Sequence, residues 1–276
     1  MVCAICTENG EVIKRQVFPT TTPEDTMPHM ISFFLEEKID ALGIGCFGPI
    51  DPDKNSENYG CITSTPKIAW QNFNIVKAFE DVLCCPIGFD TDVNAAVLGE
   101  ATYGITRGLS NSIYITVGTG IGVGVLAEGK LLHGMMHPEA GHILIKRHPE
   151  DDFAGVCPFH GDCLEGLAAG PAIEKRWGCK GEALSDRDEV WEMEAFYIAQ
   201  ACVNYCMVYS PERIVLGGGV LEQPKLLPMI RKEFTRLMAG YVRTSQLADV
   251  DNYIVKASLG GDQGVRGCIA LALAAK

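Results

Sequence analysis

Ser112-Ile-Tyr-Ile-Thr-Val-Gly-Thr-Gly-Ile-Gly-Val-Gly-Val-Leu-Ala-Glu-Gly-Lys-Leu-Leu132 reads as two apolar strands closed by a Gly-Thr-Gly turn, with a third short strand, Lys130 to His133, after Glu128-Gly129. Part of this pattern recurs at the start of the chain. Cys3-Ala-Ile-Cys-Thr-Glu-Asn-Gly-Glu-Val-Ile13 is similar to Val123-Gly-Val-Leu-Ala-Glu-Gly-Lys-Leu-Leu132: strand, Glu-containing Gly turn, strand. In the second copy a strand and the Gly118-Thr-Gly120 turn come first, whereas in the first copy only Met1 precedes the hairpin. A duplicated unit is therefore expected, whose first copy lacks a leading strand and its phosphate-type turn.

Working outward, Thr22-Pro23-Glu24 opens a helix to about Glu37, with Pro in the first turn. Ala41 to Cys46 and Ile87 to Phe89 read as buried strands, and Asp92 to Tyr103 as an Ala-rich helix. Beyond the quoted stretch come helices over Pro171–Trp177 and Asp188–Tyr209, then a strand, Arg213–Leu216, running into Gly217-Gly-Gly219. A helix over Gln223–Met238, a strand over Tyr253–Ala257 and a small-residue helix over Gly264–Ala275 follow. Strands alternating with helices predict an α/β fold.

With 276 residues, 47% of them hydrophobic, the chain can bury two cores of ordinary size. Its 23 basic against 35 acidic residues give a net charge of -12, which repels phosphate backbones and anionic membranes and disfavours nucleic acid as a partner. No apolar stretch of about 20 residues is present to span a bilayer. No charged-then-apolar leader opens the chain, and the 12 cysteines are scattered, so reduced thiols in a cytoplasmic protein are expected.

The chemistry-bearing residues fall into three groups. Five of the six histidines lie between positions 133 and 160, and Cys157-x-x-His160-x-x-Cys163 supplies three soft or borderline metal ligands. His142 is the natural fourth, with His137 and His148 also near. Zinc is the expected ion; the alternative is a pair of buried thiols beside unrelated histidines. Asp90-Thr-Asp92-Val-Asn94 sits where a short strand meets a helix, a place from which a carboxylate can act as general base. The alternative is helix capping by Asp90 or Asp92. Gly118-Thr119-Gly120 joins strand to strand and could grip phosphate oxygens, and Gly217-Gly218-Gly219 allows close approach of a flat ligand; each could equally be a plain turn. Glu139 and Glu174 are candidates to accept hydrogen bonds from a hydroxyl-rich substrate; the alternative for each is a solvated surface residue.

Together these pieces resemble the ROK family of sugar kinases, and within it the bacterial zinc-containing fructokinases. The resemblance is carried by Cys46-Phe-Gly-Pro-Ile-Asp51, Thr65-Pro-Lys67 with Trp70, Thr91-Asp-Val-Asn-Ala-Ala96 with Gly99-Glu100, and Tyr114-Ile-Thr-Val-Gly-Thr-Gly-Ile-Gly122. His137-Pro-Glu-Ala-Gly-His142, Cys157-Pro-Phe-His-Gly-Asp-Cys-Leu-Glu-Gly166, Gly170-Pro-Ala-Ile-Glu174 and Leu216-Gly-Gly-Gly-Val220 extend it over nearly the whole chain. It implies an actin-like, ribonuclease H-like fold with two α/β domains around a cleft. Residues 1–109, joined by the helix 264–276, would form one domain and residues 110–263 the other, as a homodimer. It implies Asp92 as the base on the attacking sugar hydroxyl, with Asn94, Glu139, His142 and Glu174 at the sugar. ATP, with Mg²⁺, would lie against Gly118–Gly120 and Gly217–Gly219. Zinc held by His142, Cys157, His160 and Cys163 would be structural, fixing the loop that carries Glu139. Thr91 stands where most relatives carry Asn.

Relatives open with a strand and a phosphate-holding Gly-Gly-Thr-Lys turn that have no counterpart here. Its absence predicts unmade ladder hydrogen bonds, each about 1 kcal/mol or more where buried. Two functions follow as expectations: ATP-dependent phosphorylation of a hexose, fructose first and glucose or mannose next, or sugar binding without catalysis.

Overall fold

The computed structural model describes all 276 residues, Met1–Lys276. In chain order the elements are β1 (Val2–Cys6), β2 (Val12–Val17), α1 (Pro23–Leu35), β3 (Leu42–Cys46), α2 (Ile75–Glu80), β4 (Ile87–Thr91) and α3 (Asp92–Tyr103). Then come β5 (Ser112–Val117), β6 (Ile121–Ala127), β7 (Lys130–Leu131), α4 (Leu164–Ala168), α5 (Gly170–Trp177) and α6 (Asp188–Tyr209). The last are β8 (Arg213–Gly217), α7 (Leu226–Met238), α8 (Ser245–Ala248), α9 (Val250–Tyr253), β9 (Ile254–Lys256) and α10 (Gln263–Ala275).

They group into two compact units. One comprises Met1–Gly108, Leu131–Pro138 and Ser258–Lys276, the other Leu109–Lys130 and Glu139–Ala257. Leu131–Pro138 lies in sequence within the stretch assigned to the second domain, yet groups with the first unit. There the His133 ring meets Asp90 and the His137 ring meets Ile50 N–H. The same pull ends the third strand at Leu131 and not at His133.

The second unit holds one continuous sheet in the order β7-β6-β5-β8-β9. Its middle strand β5 pairs antiparallel with β6 and parallel with β8, and its residues are buried almost throughout, as a strand flanked on both sides must be. α7 turns a buried stripe of Leu226, Ile230, Phe234 and Met238 inward.

The first unit holds two separate pairs, β1-β2 and β3-β4. Met1 and Phe18 exchange both backbone bonds, so alternation along the antiparallel hairpin turns the N–H and C=O of Val2 and Ala4 away from β2. Leu42 N–H donates to Pro86 O, which by the same alternation turns Gly43 and Gly45 away from β4. Between the two pairs lies a cavity of about 100 Å³ lined by Met1, Cys3, Phe34, Ile44, Phe79 and Cys268.

α10 packs on β1, β3, β4 and α3. It does so at backbone contact, through glycines. A Cβ on Gly43 would sit 1.7 Å from Cys268 O, and one on Gly267 would sit 1.6 Å from Ala95 O. α1 covers another face with Met27, Met30, Phe33 and Phe34, its amino end capped by the Thr22 hydroxyl.

Candidate active site

In the first unit the chemistry gathers where β4 meets α3. Thr91, the last strand residue, caps the helix: its hydroxyl accepts Asn94 N–H at 3.0 Å. The capping role that Asp90 or Asp92 could have filled therefore falls to Thr91. Asp90 is 3% exposed. Its Oδ1 accepts Thr91 N–H and the Asn94 side-chain amide, each at 2.7 Å, and its Oδ2 meets His133 Nε2 at 2.8 Å. That hydrogen bond pushes the His133 pKa up, against the burial that pulls it down.

Asp92 opens α3 beside the carboxyl ends of two parallel strands, where the helix amino end favours negative charge. The residue is open to solvent on one side, yet the surrounding protein desolvates its carboxyl group and raises its pKa. Val93 N–H and the Lys67 charge act the other way. A carboxylate so placed accepts a proton more readily than one in water. Asn94 is fully buried, with its amide turned to Asp90, so here it supports Asp90.

In the second unit His142, Cys157, His160 and Cys163 bring their ligand atoms within 4.8 Å of one another. Cys157 Sγ lies 3.6 Å from both His142 Nδ1 and His160 Nδ1, and Cys163 Sγ lies 3.5 Å from His142 Nδ1. Tetrahedral zinc, with bonds of about 2.3 Å to sulfur and about 2.0–2.1 Å to nitrogen, sets sulfur–nitrogen edges of ~3.6 Å. The four residues fit that ion in both chemistry and spacing. The other nearby histidines are engaged elsewhere: His137 Nε2 accepts Ile50 N–H at 3.0 Å, and His148 Nδ1 faces Glu150 N–H at 3.3 Å.

The glycine turns of this unit converge. Gly170 N–H, at the start of α5, donates to Gly118 O at 2.7 Å, and a Cβ on Gly118 would lie 3.9 Å from Gly219 N. Gly218, at φ 92°, carries the left-handed backbone there and leaves no room for a side chain, since a Cβ would lie 2.3 Å from Val117 O. Gly118–Gly120, Gly217–Gly219 and the amino end of α5 thus come together at backbone distance. Glu174, on α5, and Glu139, before the metal loop, are both exposed.

A profile of the ROK family matches residues 1–275. The chain belongs to the ROK family. A Bacillus subtilis (strain 168) protein is 47% identical over 272 residues, covering 98% of this chain and 91% of its own. A fructokinase of Pediococcus pentosaceus is 44% identical over 274 residues, covering 99% and 94%. Among solved structures, a ROK glucokinase of Streptomyces griseus bound to glucose and AMPPNP superposes with a TM-score of 0.75 at 22% identity, over 98% of this chain and 95% of that one. The mixed α/β units are those of the actin-like ROK fold.

One connection in this ROK chain was not read from the sequence. Glu165 Oε2 accepts Ile121 N–H at 2.9 Å, and its Oε1 lies 3.9 Å from His142 Nε2. It therefore ties the metal loop to the strand that follows the Gly-Thr-Gly turn. Its position just after Cys163 was the available signal.

Proposed function

We propose that the chain is an ATP-dependent fructokinase, converting fructose and ATP to fructose 6-phosphate and ADP, with Asp92 as general base. The observation that carries this reading is the Asp92 carboxyl group. It is solvent-reachable at the amino end of α3, raised in pKa by the surrounding protein, and held on the Thr91 turn. The fructokinase name of the Pediococcus relative supports the sugar. Asp92 takes the proton of the attacking hydroxyl as its oxygen bonds to the γ-phosphorus; the bond to the β-bridging oxygen breaks and ADP leaves with that electron pair. Glu139, His142 and Glu174 orient the sugar, and Asn94 steadies Asp90 behind the base. Gly118–Gly120 and Gly217–Gly219 hold the nucleotide through backbone N–H groups, where Mg²⁺ supplies charge neutralisation on the phosphates. Zinc on His142, Cys157, His160 and Cys163 stiffens the loop that follows Glu139. A cytoplasmic homodimer is part of the same proposal; no helix is long and apolar enough to cross a membrane.

The alternative to be tested against the kinase reading is sugar binding without turnover. Coupled ADP release with ATP, Mg²⁺ and fructose separates the two. Fructose-dependent turnover that falls at least ~100-fold in D92N supports the kinase. Fructose binding by calorimetry without ADP release supports the alternative.

A further inference from the structure

His133 and His137 share a short stretch with the metal-ligating histidines, yet both are used on the first unit. His133 Nε2 donates to Asp90 Oδ2 at 2.8 Å, and His137 Nε2 accepts Ile50 N–H at 3.0 Å. Asp90 is in turn bonded through Oδ1 to both the backbone and the side chain of the turn behind Asp92, at Thr91 N–H and the Asn94 amide. The Asn94 Oδ1 atom is buried with no partner, so the bond to Asp90 sets the orientation of that amide. A buried carboxylate deprived of a hydrogen-bond donor must find another partner or draw in water, and either change alters the bonds it accepts.

We infer that His133 is a positioning residue for the hydroxyl-activating turn: through Asp90 it fixes the Thr91–Asp92 junction and anchors Leu131–Pro138 beside it. The inference rests on the kinase reading with Asp92 as base. His133 touches neither reacting atom. It acts through Asp90, and its effect belongs to the alignment of the base, where a displacement of about 1 Å is worth ~100-fold in rate.

The test compares H133L with H133Q, whose side-chain amide can still donate to Asp90. Each is assayed below its own melting temperature. H133L is expected to lower kcat with fructose by ~30-fold while leaving KM for ATP within about twofold. H133Q should stay within about threefold of the parent chain, a rescue that a purely structural role would not show. D90N gives a second route should H133L not fold. It keeps the shape but loses the charge, and the double variant D90N/H133L should be no slower than the worse single variant. Unchanged kcat in H133L, equal losses in H133L and H133Q, or additive losses in the double variant overturn the inference while the kinase reading stands. A parent chain that phosphorylates no hexose overturns the kinase reading and this inference together.

Discussion

The second unit builds a five-stranded sheet around β5, whereas the first carries the flanking parts of the same design with nothing between them. The hairpin β1-β2 answers to β6-β7, and the parallel pair β3-β4 answers to β8-β9. The difference lies in what joins the strands of each unit. In the first unit the half-sheets are held by their faces, through the α1 aromatics and through α10 seated on glycines, while in the second the strands hold one another edge to edge.

The sharpest way to expose that contrast is amide hydrogen exchange. Val2, Ala4 and Gly43, whose N–H groups turn away from their partner strands, should exchange ~1000-fold faster than Ile113 and Ile115 in β5. Equal protection would mean that a pairing closes the first sheet in solution. If the four-residue cluster holds zinc as proposed, removing it with a chelator should strike the second unit alone, costing it about 4 kcal/mol where the free ion had been a thousandfold above its Kd. Unfolding followed with one probe in each unit would detect the selective loss, and an equal shift in both would erase the distinction. Gly43→Val makes the converse break. Its side chain runs into the Cys268 carbonyl, so the first unit should lose about 3 kcal/mol in urea unfolding while the second keeps its transition.

The smallest effect concerns Glu194, buried in α6 and raised in pKa well above the usual carboxylate range by that burial. The folded chain keeps this proton to higher pH than the unfolded chain does. Stability of the second unit should therefore fall as pH climbs from the ordinary carboxylate range through the raised one. Glu194→Gln should remove that slope and raise the melting temperature at pH 8. A melting temperature that is flat with pH in the parent chain would contradict the assignment.

What the sequence disclosed follows how local each feature is. Cys157, His160 and Cys163 stand within one short loop, so their clustering was legible from spacing, as was the place of Asp92 at a strand–helix junction. The α/β order was legible from the alternation of strands and helices. The partners of His133, His137 and Glu165 were not, because Asp90, Ile50 and Ile121 are distant in sequence and only the folded chain brings them close. For the same reason five clustered histidines looked like one group, although two of them belong to the first unit. The short helices α2, α4, α8 and α9 carry too few turns for a periodic signal.

The glycine seam under α10 also bears on the order in which the molecule is made. Ser258–Lys276 belongs to the first unit but leaves the ribosome after every residue of the second. The second unit can therefore close during synthesis, while the nascent first unit waits with β3, β4 and α3 uncovered until its last helix arrives. That interval is when its apolar surface and open strand edges are most available to chaperones or to aggregation.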